Sequence, residues 1–103
     1  MRGMQDMLRQ AQMMQKKMTS VQEELKTREV EATSGGGMVT VRATAGQQIL
    51  SITIDKSVVE AGDVEMLQDL VLAAVTDALK KAKAMMDEEM GKITGGLKIP
   101  GMF

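Results

Sequence analysis

Seven apolar positions near the start of this chain, Met4, Met7, Ala11, Met14, Met18, Val21 and Leu25, recur at spacings of three and four through three heptads. Such a seam belongs to a helix that lies along another helix, and it predicts one from about residue 4 to about residue 26. The interval holds no Gly or Pro, and its other faces carry Gln10, Gln12, Gln15, Lys16, Lys17, Gln22 and Glu23. Met dominates the seam, and flexible thioethers at heptad spacing read as packing rather than as a sulfur metal site.

Beyond the helix the hydrophobic period changes to two. Val30 and Ala32 alternate with Glu29, Glu31 and Thr33; Val39, Val41 and Ala43 alternate with Thr40, Arg42 and Thr44; Leu50, Ile52 and Ile54 alternate with Ser51 and Thr53. Separated by Ser34-Gly35-Gly36-Gly37 and Ala45-Gly46-Gln47, these runs predict a three-stranded antiparallel β-meander over about residues 28–54, apolar on one face. The triple glycine reads as a flexible hairpin loop, because a phosphate-cradling loop opens a helix and this one opens a strand. Asp55-Lys56-Ser57 with Val58 and Val59 forms a short connection. Asp63 is the expected N-cap of a second long helix, about residues 63–90, whose inner stripe is Val64, Leu67, Val71, Ala74, Ala78, Met85 and Met86 and whose stop is Gly91. The tail, 91–103, mixes glycine with Ile93, Leu97, Ile99, Met102 and Phe103, and is expected to be flexible when free and to dock through these apolar residues. The fold class expected is α+β, a single domain over residues 1–103 with a long N-terminal helix, a three-stranded antiparallel β-meander and a long C-terminal helix.

Cys, His, Trp and Tyr are absent. Their absence removes the thiolate and imidazole nucleophiles and bases and the usual zinc and haem ligands, so no enzyme activity, cofactor or metal is expected. The carboxylates of Asp87-Glu88-Glu89 and Glu23-Glu24 point in different directions on a helix and read as solvated faces rather than a cation site. Val71 to Val75, the longest apolar run, is too short for a bilayer, so a cytoplasmic protein with no membrane partner and no small-molecule substrate is expected.

A net charge of −1 conceals a marked asymmetry. Residues 1–28 carry six basic groups against three acidic, residues 29–79 two against eight, and residues 80–103 five against three. The two helices would be on the order of 33 and 40 Å long, against a body roughly 34 Å across, so they are expected to overhang the sheet. Running antiparallel, they would bring their outer ends together and gather Arg2, Arg9, Lys16 and Lys17 beside Lys80, Lys81, Lys83, Lys92 and Lys98. Clustered Lys and Arg on helical arms suit phosphate contacts with double-stranded DNA, salt-sensitive and tolerant of sequence. Single strands are disfavoured, because no aromatic side chain is present to stack on bases except Phe103 in the tail. A three-stranded sheet leaves apolar surface poorly covered, which points to a homodimer. The rival expectation is a prefoldin-like chaperone whose client surface is Met1, Met4, Met7, Met86, Met90 and the tail.

Several local signatures resemble the YbaB/EbfC family of bacterial nucleoid-associated proteins. They are Met7-Leu8-Arg9-Gln10-Ala11-Gln12-Met13-Met14-Gln15-Lys16-Lys17-Met18, Gly35-Gly36-Gly37-Met38-Val39-Thr40-Val41, Ile54-Asp55-Lys56-Ser57, the segment Glu65 to Ala78, and Gly95-Gly96-Leu97-Lys98-Ile99-Pro100-Gly101. Lys56 stands where that family frequently has proline, Thr76 where it frequently has asparagine, and Thr44-Ala45-Gly46 replaces its usual Asn-Gly turn. The resemblance implies a tweezer-like homodimer in the cytoplasm or nucleoid that binds double-stranded DNA through its long helices and alters its conformation.

Overall fold

The computed structural model describes residues 2–94; Met1, the side chain of Arg2 and residues 95–103, which include Lys98, lie outside the described residues. The chain runs α1 (Arg2–Leu25), β1 (Glu29–Ser34), β2 (Val39–Thr44), β3 (Ile49–Ile54), α2 (Lys56–Glu60) and α3 (Val64–Thr94). This is the expected α+β order with one addition, the short helix α2.

The strands form a meander in the order β1-β2-β3, both pairs antiparallel. Val30 faces Ala43, Ala32 faces Val41, and on the other side of β2 Val39 faces Ile54 and Val41 faces Ile52. Directly opposed residues share a face, so the period-two pattern places Val30, Ala32, Val39, Val41, Ala43, Ile52 and Ile54 on one side. A register shift at Arg42/Ala43 leaves Leu50 as the extra residue of a bulge.

The helix α3 lies on that apolar side, over β1 and β2. Ala74, Ala78 and Ala82 are fully buried and occur every fourth residue, forming a row of methyl groups that lets the helix axis settle close to Val30, Ala32, Val39, Val41 and Ala43. Leu70, Val71, Val75 and Met85 pack around this row. The expected inner stripe is corrected at two places: Ala82, which it omitted, is fully buried, and Val64, which it included, is 63% exposed because it precedes the stretch that rests on the sheet.

Three turns fix the ends. Gly35, Gly36 and Gly37 all have left-handed backbone (φ 59, 67 and 95°), and a Cβ at Gly35 would stand 2.9 Å from Leu70 Cδ2. The glycines thus make a tight turn under α3 rather than a loose loop, and Ser34 Oγ donates to the Leu70 carbonyl at 2.6 Å. Asp55 caps α2, its Oδ1 accepting from the Ser57 N–H at 2.9 Å, and Val58 is buried beneath it. Lys56 sits at the first position of that helix, where proline is also well suited. Asp63 Oδ1 accepts from the Met66 N–H at 3.0 Å, the N-cap predicted for α3.

Gly91 does not stop α3, which continues to Thr94. A helical glycine costs only about 1 kcal/mol relative to alanine, and burial of Met90 and Thr94 on either side of Gly91 favours continuation. The molecule extends 72 × 24 × 16 Å, as overhanging helices require. Only α1 overhangs fully, however: every residue from Gly3 to Lys17 is exposed, and burial begins at Met18 and Val21 and is complete at Leu25. A leucine at Ala78 should force α3 off the sheet and lower stability by about 2–3 kcal/mol. Denaturant unfolding would measure this, and an unchanged midpoint would contradict the close seating of α3.

Candidate functional site

The cations divide into two groups. Lys26 pairs with Glu23, Arg28 with Glu89, Arg42 with Glu29, Lys56 with Glu60, Lys81 with Asp77 and Lys92 with Glu89. Among the described residues, no carboxylate oxygen lies within 4.0 Å of Arg9, Lys16, Lys17, Lys80 or Lys83. Of the predicted phosphate-contact residues, Lys81 and Lys92 are engaged internally, and Lys81 Nζ also donates to the Glu31 carbonyl at 3.0 Å.

The expected gathering of all these cations at one place does not occur. Lys80, Lys81 and Lys83 belong to the stretch of α3 that the alanine row holds against the sheet, and the bond from Lys81 to Glu31 places it beside β1. Arg9 stands sixteen residues before Leu25, or about 24 Å along α1 from the sheet. Lys83 instead borders a recess with Ala45, Gly46, Gln47, Met86 and Asp87.

The α1 arm is the more uniform surface. Arg9 and Lys16 are seven residues apart, so they fall on one line of the helix about 10 Å apart, and Arg2 is the residue one heptad earlier. This line runs opposite the methionine seam; Gln5 and Gln12 border it, and Lys17 lies at its flank. From residue 2 to residue 22 the only carboxylate is Asp6. The outward side of α3 alternates instead, with Asp69, Asp77 and Asp87 among Lys80 and Lys83. The basic row was not separated from the other lysines by charge counting, although its seven-residue spacing was visible in the sequence.

At the foot of the arm, Glu89 carboxylate oxygen lies 3.4 Å from Arg28 Nη1 and 3.1 Å from Lys92 Nζ. The hydrogen bond from Lys92, assisted by the charges of Lys92 and Arg28 against partial desolvation, holds the Glu89 carboxyl below its ordinary pKa. Arg42 is held more firmly protonated by its hydrogen bond to Glu29. The methionines of the rival chaperone reading are scattered: Met4 and Met7 are exposed, Met86 is half-buried, and Met90 is only 4% exposed, which removes it from any client surface.

The sequence profile of the YbaB/EbfC DNA-binding family matches residues 1–97. The chain belongs to this family. A nucleoid-associated protein of Acetivibrio thermocellus is 58% identical over 99 residues, which is 95% of this chain and 88% of that relative. One from Pelotomaculum thermopropionicum is 53% identical over 101 residues, 98% of this chain and 96% of the relative. Among solved structures, an uncharacterized protein of Helicobacter pylori superposes with a TM-score of 0.74 at 26% identity, over 82% of this chain and 89% of that one. As in the family's name, the expected partner is DNA. No helix among the described residues is long and apolar enough to cross a membrane.

Because the folded-state pKa of Glu89 is depressed, its contribution to stability is present above the ordinary carboxylate pKa and lost as pH falls through the folded value. Glu89→Gln should therefore lose less stability than the parent chain as pH falls below about 4.3, where an unfolded Glu begins to take up its proton, whereas the two should run parallel between pH 7 and about pH 5. Equal acid losses in paired urea titrations would contradict the bridging role of Glu89.

Proposed function

We propose that this YbaB/EbfC protein binds double-stranded DNA without base-specific readout, using the basic row of α1 as its principal phosphate-contacting surface. The observation that carries the reading is the row itself: Arg9 and Lys16, with Lys17 beside them and Arg2 one heptad before, on an exposed arm bearing a single carboxylate in its first twenty-two residues. Lys80 and Lys83, also without acidic partners among the described residues, provide a second and weaker patch. Lys81 and Lys92 are assigned a smaller share, because their charges are already shared with Asp77 and Glu89. Lys and Arg reach phosphates without the donor and acceptor matching that base recognition requires.

The acting form in this reading is a homodimer joined through β3. Ile52 and Ile54 share the apolar face of the sheet, yet they are 45% and 36% exposed, because α3 covers β1 and β2 and of β3 only Ile49 packs against the core. Leu50 adds to the same open edge. Pairing two such edges buries the isoleucines and satisfies unpaired backbone groups. Each dimer then carries two projecting arms, which gives a tweezer-like outline and a means to bend or bridge duplex DNA. The role is that of a non-enzymatic nucleoid-associated protein, in keeping with the names of its relatives.

Gel-shift titrations test the reading. Duplexes of unrelated sequence should bind alike, and affinity should fall steeply between about 50 and 200 mM salt. Arg9→Gln with Lys16→Gln removes four charges per dimer and should reduce the slope of log affinity against log salt by about 3–4. Lys92→Gln should change it much less, and equal effects would contradict the assignment to α1. Ile52→Lys should shift sedimentation from twice the 11.2 kDa chain mass to that of one chain; a persistent dimer would place the interface elsewhere.

A further inference from the structure

The heptad seam of α1 is written for a partner along its whole length, yet only its last turns are covered. Met18, Val21 and Leu25 are half-buried or buried, whereas Met4, Met7 and Met14 are exposed, Met7 by 70%. A shallow apolar groove lined by Gly3, Met4, Met7, Leu8 and Ala11 runs along the uncovered part. The residues that flank this part of the seam are Leu8, Gln10, Gln15 and Lys17, so its borders are almost uncharged. A partner helix with charged edges would find few counter-charges there, whereas an uncharged apolar stripe is complementary to itself. Arg9 and Lys16 lie on the far side of the helix, so two arms pressed seam to seam keep their basic rows apart.

We infer that the exposed seam of α1 pairs antiparallel with the same seam of a second copy of this chain. Met4 then stacks on Met14 of the second copy and Met7 on its Ala11, each pair occurring twice about a twofold axis. Setting the large Met7 against the small Ala11 fills a layer that a parallel pair, with Ala11 on Ala11, would leave hollow. The flanks agree with this direction. Leu8 meets Leu8, Gln10 meets Gln10, and Lys17 falls beside Gly3, one turn from Asp6, which is the only carboxylate from residue 2 to residue 22. A parallel pair would set Lys17 beside Gln22 and leave Asp6 far from it. The four layers span about 15 Å and fall well short of the roughly 20–30 residues a side of a standard interface, so the contact is weak and forms where arms are concentrated. It supplies the packing that a lone helix of about 15 residues lacks in water. It depends neither on β3 nor on DNA, and where the arms carry DNA as proposed above, it joins two complexes.

The absence of cysteine makes a cross-linking test clean. Full-length Met7→Cys and Ala11→Cys chains are mixed in equal amounts and treated with oxidised glutathione in the absence of DNA. Only facing residues close a disulfide readily, so links between position 7 of one chain and position 11 of another should outnumber each like-position link by at least about tenfold, against about twofold for random pairing. A random ratio or an excess of links between two Ala11→Cys chains would overturn the inference, as would the absence of any two-chain product, which would assign the seam to another occupant. Independently, Met7→Lys sets like charges into the seam at an exposed site and should lower the average mass in sedimentation equilibrium at high chain concentration, whereas Met13→Lys, on the outer side, should leave it unchanged. Equal masses for the two variants would overturn the pairing.

Discussion

The contact on which the rest of the molecule depends is the seating of Ala74, Ala78 and Ala82 against the valines and alanines of β1 and β2. Small side chains on both surfaces bring helix and sheet close together, so the packing gains many short contacts with no aromatic residue among them. The same seating fixes the direction of α3 and delivers its end to the foot of α1. It also determines what stays bare: a single helix over two strands leaves most of the third exposed.

This division explains how the charges are distributed. Cations close to the sheet lie among the acidic residues of the middle of the chain, and several are neutralised there by Glu29, Asp77 or Glu89. Cations on the outer part of α1 have few carboxylates nearby, because that segment is rich in glutamine and methionine. Segregation of charge therefore follows from segregation of secondary structure, and the surface best suited to a polyanion is the part of the chain with least tertiary contact.

Much of the fold was legible because two periods are cleanly written: three and four from Met4 to Leu25, and two from Val30 to Ile54. The Asp63 cap was legible from residue type, and poorly covered apolar sheet surface was expected from the strand count, but which strand stays open was not. α2 was missed because five residues are too few to show a period; its signal was the Asp55-Lys56-Ser57 capping pattern. Gly91 misled because a helix stop is a local preference that packing of Met90 and Thr94 overrides. The expected convergence of basic helix ends failed for a three-dimensional reason. Length alone does not show how much of a helix rests on the sheet, and Ala82 carries the seated stretch past Lys80 and Lys81.

Anchoring α1 only over its last turns, at Met18, Val21 and Leu25, turns the arm into a pointer with its fulcrum near the Lys26–Thr27 turn. With Arg9 about 24 Å out, a rotation of roughly 10° at the fulcrum sweeps the guanidinium about 4 Å sideways while the sheet stays still. In the proposed dimer, a pair of such pointers would reset its gape by a few ångströms through small dihedral changes in two short turns, and so would follow a double helix whose grooves narrow and widen with sequence.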